Sequence, residues 1–169
     1  MDESTIVENK KRSPQKPPRN LGRIAGEILA GTATGVAFAV PVLYVTVYVI
    51  VRAIWGEEKN LELGGFVVLG FILLAFPMLY GPASAVGVYL VGSRGTQTGS
   101  FLPTLGFGLI GGFFMLVMLI PVAFLSAALI VGVENIIRWT LWVLVSLIPP
   151  IFATLGFNLT RRYKEPPLA

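Results

Sequence analysis

Cysteine and histidine are both absent from the 169 residues, and only 13% of them are charged. Without cysteine there are no disulfides, no thiolate nucleophiles and no palmitoyl, prenyl or lipoprotein anchors. Without histidine, zinc sites of the usual ligand set, histidine-ligated haem and imidazole acid–base chemistry are excluded too. Soluble domains carry about 25% charged residues. The shortage of charge, with 54% apolar residues and a mean hydropathy of +0.76, describes a small polytopic membrane protein instead. Paired carboxylates, nucleophile–base pairs and metal-ligand clusters are missing as well, so no enzymatic activity, no cofactor, no metal and no nucleic-acid partner is expected.

Four stretches contain no Asp, Glu, Lys or Arg: 28–51, 63–93, 95–133 and 139–160. A helix needs about 20 apolar residues to cross the hydrocarbon, so the expected fold is all-α, with transmembrane helices over about 24–53, 63–91, 101–132 and 138–160 forming a domain at 21–160. Two hairpins of two helices satisfy this order. The third stretch offers no polar turn in its interior, and a turn at membrane depth must be buried in protein. It therefore reads as one long, tilted or kinked helix. The tails at 1–20 and 161–169 read as basic segments, the first of them disordered.

The placement of charge predicts an orientation. Of the 13 cations, ten lie on one side under this count: Lys10, Lys11, Arg12, Lys16, Arg19, Arg23, Arg94, Arg161, Arg162 and Lys164. Arg52, Lys59 and Arg138 lie on the other, as do Trp55, Trp139 and Trp142. The positive-inside rule then puts both termini in the cytoplasm, in a cell inner membrane. The N-terminal tail lacks the pattern of a cleavable signal, and Asp2, Glu3 and Glu8 argue against a transit peptide. The first apolar stretch is expected to be an uncleaved anchor. The basic tail can attract anionic lipid, or serve as a topology signal alone.

Small residues form rows at four-residue spacing. Gly22, Gly26, Ala30 and Thr34 make one; Gly31, Gly35 and Ala39 make another beside it. Gly87, with Ala83, and the pair Gly108 and Gly112 continue the theme. Residues four apart share a helix face, and small side chains there let helices approach closely in lipid. The expectation is a glycine-zipper contact, within the chain or with a second copy or membrane partner. On it, leucine at Gly26 or Gly35 disrupts folding or assembly, whereas Leu43→Ala does little. Each span also carries proline, at Pro41, Pro77, Pro82, Pro121 and Pro149, as a source of kinks.

Several motifs are weaker than they look. Gly95-Thr-Gln-Thr-Gly99-Ser100 lacks the lysine and the spacing of a phosphate loop; it reads as a turn, with Thr98 or Ser100 capping the third helix. Gly106-Phe-Gly-Leu-Ile-Gly111 matches a dinucleotide fingerprint but lies within a span, with no strand before it. Shifting the chain by 80 residues aligns Gly26, Leu29, Gly31 and Pro41 with Gly106, Leu109, Gly111 and Pro121, a pattern compatible with a parallel repeat. Glu134 and Arg138 are spaced to pair on the outer surface.

The stretch AVGVYLVGSRGTQTGSF at 85–101, followed by Thr104-Leu105-Gly106, and the ending ATLGFNL at 153–159 resemble Gly-rich, four-helix membrane proteins of uncharacterised function in bacteria. The resemblance implies a bacterial envelope protein and no activity, and it carries no functional residues.

Ionisable groups inside a membrane mark most pumps, channels and transporters. Glu27 comes nearest to qualifying, four residues after Arg23. It is a candidate proton or ion ligand, or a first-turn carboxylate paired with Arg23 and favoured by the helix dipole. Hydroxyls at Thr32, Thr34, Thr46, Ser84, Ser126, Thr140, Ser146 and Thr154 can line a polar path or bond between helices. Two functions follow: a non-enzymatic helix-packing accessory or scaffold subunit of an inner-membrane assembly, or a small oligomeric channel or transporter.

Overall fold

In hydrocarbon no water is present to bond peptide groups, so apolar stretches must close their own hydrogen bonds as helices. The computed structural model describes residues 20–55, 61–128 and 134–163, and in them this requirement is met by five helices: α1 (Leu21–Trp55), α2 (Leu61–Gly92), α3 (Phe101–Ala128), α4 (Glu134–Ser146) and α5 (Ile148–Thr160). Two short strands, β1 (Gln97–Thr98) and β2 (Arg162–Tyr163), complete the order. Four segments are long and apolar enough to cross a membrane: Leu21–Val49, Gly70–Gly92, Phe101–Ala123, and Ile136–Thr160, which joins α4 to α5. All but Asn20 of the expected N-terminal tail at 1–20, and the 129–132 part of the expected third helix, lie outside the described residues. So do the side chains of Trp55, Ser126 and Glu134, and with them the expected pair to Arg138.

α1 starts earlier than the hydropathy suggested because Asn20 caps it. The Gly22 amide donates to the Asn20 side-chain oxygen (3.0 Å), and the Arg23 and Ile24 amides donate to its carbonyl (3.1 Å each). This places orphan donors of the first turn on acceptors.

The prolines act unequally. α1 runs unbroken through Pro41, α2 through Pro77 and Pro82, and α3 through Pro121. The fourth span is different: where one helix over 138–160 was expected, the helix stops at Ser146 and resumes at Ile148. Pro149 and Pro150 remove two consecutive amide donors, so the carbonyls of Val145 and Ser146 have no helical partner four residues on. The Leu147 amide bridges the joint by donating to both Val143 and Leu144 (3.2 Å each), and the Ser146 hydroxyl donates to the Val143 carbonyl (2.7 Å).

α2 is the central element, with α1 and α3 on different flanks and α5 touching all three. α4 leans on α3 and makes little other contact. α1 runs antiparallel to α2, and α3 antiparallel to α2 on its other side. Gly31 of α1 meets Ser84 and Val88, while Gly35 meets Tyr80 and Ser84. On the other flank, Gly108 lies against Gly81 and Ala85, and Gly112 against the Pro77 carbonyl. A β-carbon on Gly35 would lie 2.5 Å from the Tyr80 ring, and one on Gly112 2.5 Å from the Pro77 oxygen. Neither contact admits a larger residue. Gly87 is equally close to the Ala30 carbonyl and Thr34.

The glycine rows do not contribute alike. The buried stripe of α1 is Glu27, Gly31, Gly35, Ala39 and Leu43, one residue every four. A β-carbon on Gly26 would meet nothing within 4 Å, and one on Gly22 would touch only the neighbouring Asn20. The first row therefore joins the contact at Ala30 and Thr34, not at its glycines. Leu43, expected to tolerate truncation, is 7% exposed and continues the stripe.

Candidate functional site

All four spans have one terminus at a common end of the bundle, and the polar residues there are tied together. Glu27, in the second turn of α1, is fully buried. Its Oε1 accepts a hydrogen bond from Nη2 of Arg161, the residue directly after α5. Arg23 approaches the same oxygen with Nε at 3.7 Å. The other arm of Arg23 leaves the pair: Nη2 donates to the carbonyls of Gly92 (2.6 Å) and Arg94 (2.8 Å). Arg23 thus satisfies the carbonyls at the end of α2, and Arg161 sits at the end of α5. Both helix C-termini carry partial negative charge, which favours these cations.

Packing supports the ion cluster. The Arg161 guanidinium lies over the Phe157 ring at 5.2 Å. Phe157 is fully buried, with Gly92 and Gly99 closed over it so tightly that a β-carbon on either would lie within 2.6 Å of the ring. Tyr89 packs edge-on against both Phe157 and Phe101. The turn between α2 and α3 is held down by an antiparallel pairing, Gln97 opposite Tyr163 and Thr98 opposite Arg162. Gly95 takes the left-handed φ of 77° that this turn requires. The Ser100 amide donates to the Thr160 hydroxyl (2.9 Å), and Thr104 donates back to the Ser100 carbonyl (2.8 Å). Ser100 therefore holds the position before α3, and Thr98 belongs to the ladder.

The arrangement extends two sequence readings. Glu27 does pair with Arg23, but it lies in the second turn and its closest cation is Arg161, 134 residues away. The basic segment expected at 161–169 starts within the bundle, with Arg161 5% exposed and the next two residues forming β2; its remainder, 164–169, lies outside the described residues. The sequence did hold a signal for this. Glu27 is the one acidic residue between 9 and 56, and Arg161 is the first cation after the last span, on the same predicted side.

Burying a carboxylate costs several kcal/mol unless it is paired and hydrogen-bonded. Two guanidinium groups meet that demand for Oε1, whereas Oε2 has no hydrogen-bond partner among the described residues. Burial also pulls the Arg161 guanidinium below its ordinary value, against the opposing pull of the Glu27 carboxylate. A guanidinium remains charged at neutral pH regardless.

The hydroxyls divide into two groups. Thr32, Thr46 and Thr140 donate to carbonyls four residues back on their own helices, at 2.7–2.9 Å. Deeper in the bundle, Tyr80 Oη, Ser84 Oγ and Thr154 Oγ1 are buried without hydrogen-bond partners. Tyr80 stacks on Phe76 at 5.4 Å, inside a cluster with Ala39, Met115, Leu119, Val122 and Val145. No group of three metal-ligating side chains occurs among the described residues. No family model, curated protein or solved structure matches the chain.

Proposed function

We propose that the protein is a non-enzymatic helix-packing subunit of a membrane assembly, working through its surface and not through a reaction. One observation carries this reading. α1 buries one stripe against the bundle, half-covers its flanks, and leaves a further apolar face bare, including Leu29, Val36, Phe38, Val40, Tyr44 and Tyr48. Between them lie the exposed small residues Ala25, Ala33 and Ala37 and the open Gly26, the composition that a second helix needs for close approach. The ion cluster serves cohesion: its carboxylate is held by two cations and ties helices together. On this reading the spans form two hairpins with both termini in the cytoplasm, in a bacterial inner membrane.

The test is mild extraction of a tagged full-length chain, with mass determination of what stays bound. A stoichiometric membrane-protein partner, lost on Ala33→Trp, is the expected result. A lone monomer overturns the reading.

A second reading, a small oligomeric channel or transporter, is favoured by the unpartnered Tyr80, Ser84 and Thr154 below the buried Glu27. Proton flux into liposomes, abolished by Glu27→Gln, would establish it.

A further inference from the structure

A groove of about 330 Å³ opens between α1 and α3, with α2 as its floor. Thr34 and Phe38 form one wall, Met78, Pro82 and Val86 the floor, and Leu105 the other wall. The lining is apolar almost throughout, and its volume falls at the low end for ligand pockets. What lies above the groove gives it a direction. From Val86 α2 continues past Leu90 to its end at Gly92, the Ser93 amide still donates to Tyr89 (2.9 Å), and Arg94 follows in the turn, so the cation lies beyond the groove at the end of α2. Leu90 on that path is 56% exposed, and the space beside Gly26 of α1 is open.

Arg94 is exposed, and its side chain makes no ion pair among the described residues. Its backbone is fixed all the same, because its carbonyl accepts from Arg23. A positioned cation thus stands at the end of an apolar slot. From Met78 to its end at Gly92 the helix rises about 21 Å, with Arg94 just beyond. One leaflet measures about 20–22 Å from its headgroups to the midplane.

We infer that this slot is a binding site for one anionic phospholipid, with an acyl chain in the groove and the phosphate-bearing headgroup at Arg94. The inference requires that the bundle lie in a membrane, and the groove shares Phe38 with the α1 surface described above. Free phosphate does not account for the slot, since it has no use for the apolar floor. An acyl chain alone does not account for Arg94.

The experiment is native mass spectrometry of the full-length protein in mild detergent, titrated with phosphatidylglycerol or phosphatidylcholine of equal chain length. One phosphatidylglycerol per chain should be retained in preference. Arg94→Gln should weaken that binding by about fivefold, the worth of one interfacial cation, and abolish the headgroup preference. Val86→Trp, at an exposed floor position, should displace both lipids, whereas Leu144→Trp on α4 should displace neither. Melting curves of the three variants confirm that each is folded. Equal retention of the two lipids by the unaltered chain overturns the proposal. So does phosphatidylglycerol binding that survives Val86→Trp, or binding that inorganic phosphate competes away.

Discussion

The two ends of the bundle are built on different principles. At one end α1, α2, α3 and α5 are joined by directional bonds: Glu27 to Arg161, Arg23 to the end of α2, Ser100 to Thr160, and β1 to β2. At the other end α4 leans on α3, and Ile136, Trp139, Val143 and Leu144 are left exposed. Between the ends the helices are held by close approach at glycine. In lipid the apolar surface of a helix gains little by leaving the solvent, so packing and polar bonds must supply association. The tied end has both; the α4 end has little of either.

The largest expected effect tests the middle. Gly35→Leu places a branched side chain where even a β-carbon would lie 2.5 Å from Tyr80. Overpacking of this kind costs about 1–3 kcal/mol where neighbours can yield, and more where they cannot. We expect loss of the monodisperse peak in size-exclusion chromatography. Gly26→Leu, at an open position, should elute like the parent chain. If both behaved alike, the assignment of the two rows would be wrong.

Next comes the tied end. Arg161→Met removes the nearest cation from a fully buried carboxylate and should destabilise the bundle by about 3 kcal/mol. Adding Glu27→Gln should restore much of the loss, because the stranded charge is then gone. Denaturant titration of the single and double variants gives the coupling directly. An Arg161→Met chain as stable as its parent would mean that the pair contributes nothing.

The smallest effects sharpen the contrast along the length. Leu43→Ala, at the buried end of the α1 stripe, should cost about 2 kcal/mol. Leu144→Ala, 57% exposed on α4, should change stability by less than about 0.5 kcal/mol. Thermal melts of the two, side by side, separate a packed position from a lipid-facing one.

How much of this could be read from the sequence follows from which interactions are local. Apolar length announces a membrane helix wherever it occurs, so four spans were legible. A row of small residues was legible too, but its facing was not. Four residues turn a helix by 400°, so each step drifts about 40°, and two neighbouring rows compete for the same contact. The position of α2 decides between them, and it chose the row that ends in Leu43. The break at Leu147 was visible as two adjacent prolines, whose combined loss of donors exceeds that of the single prolines at 41 and 121. The Glu27–Arg161 pair joins opposite ends of the chain. A cation just beyond a span reads as a topology signal until the fold brings the ends together.

The distance between those two residues along the chain has a consequence for synthesis. Glu27 enters the membrane with the first helix, and Arg161 leaves the ribosome only after the last one. Throughout that interval the carboxylate has Arg23 alone for company, and the ladder between β1 and β2 cannot form. Completion of the pair therefore coincides with the arrival of the final turn of the final helix. A chain released short of that point carries an open end and a carboxylate with one cation in place of two.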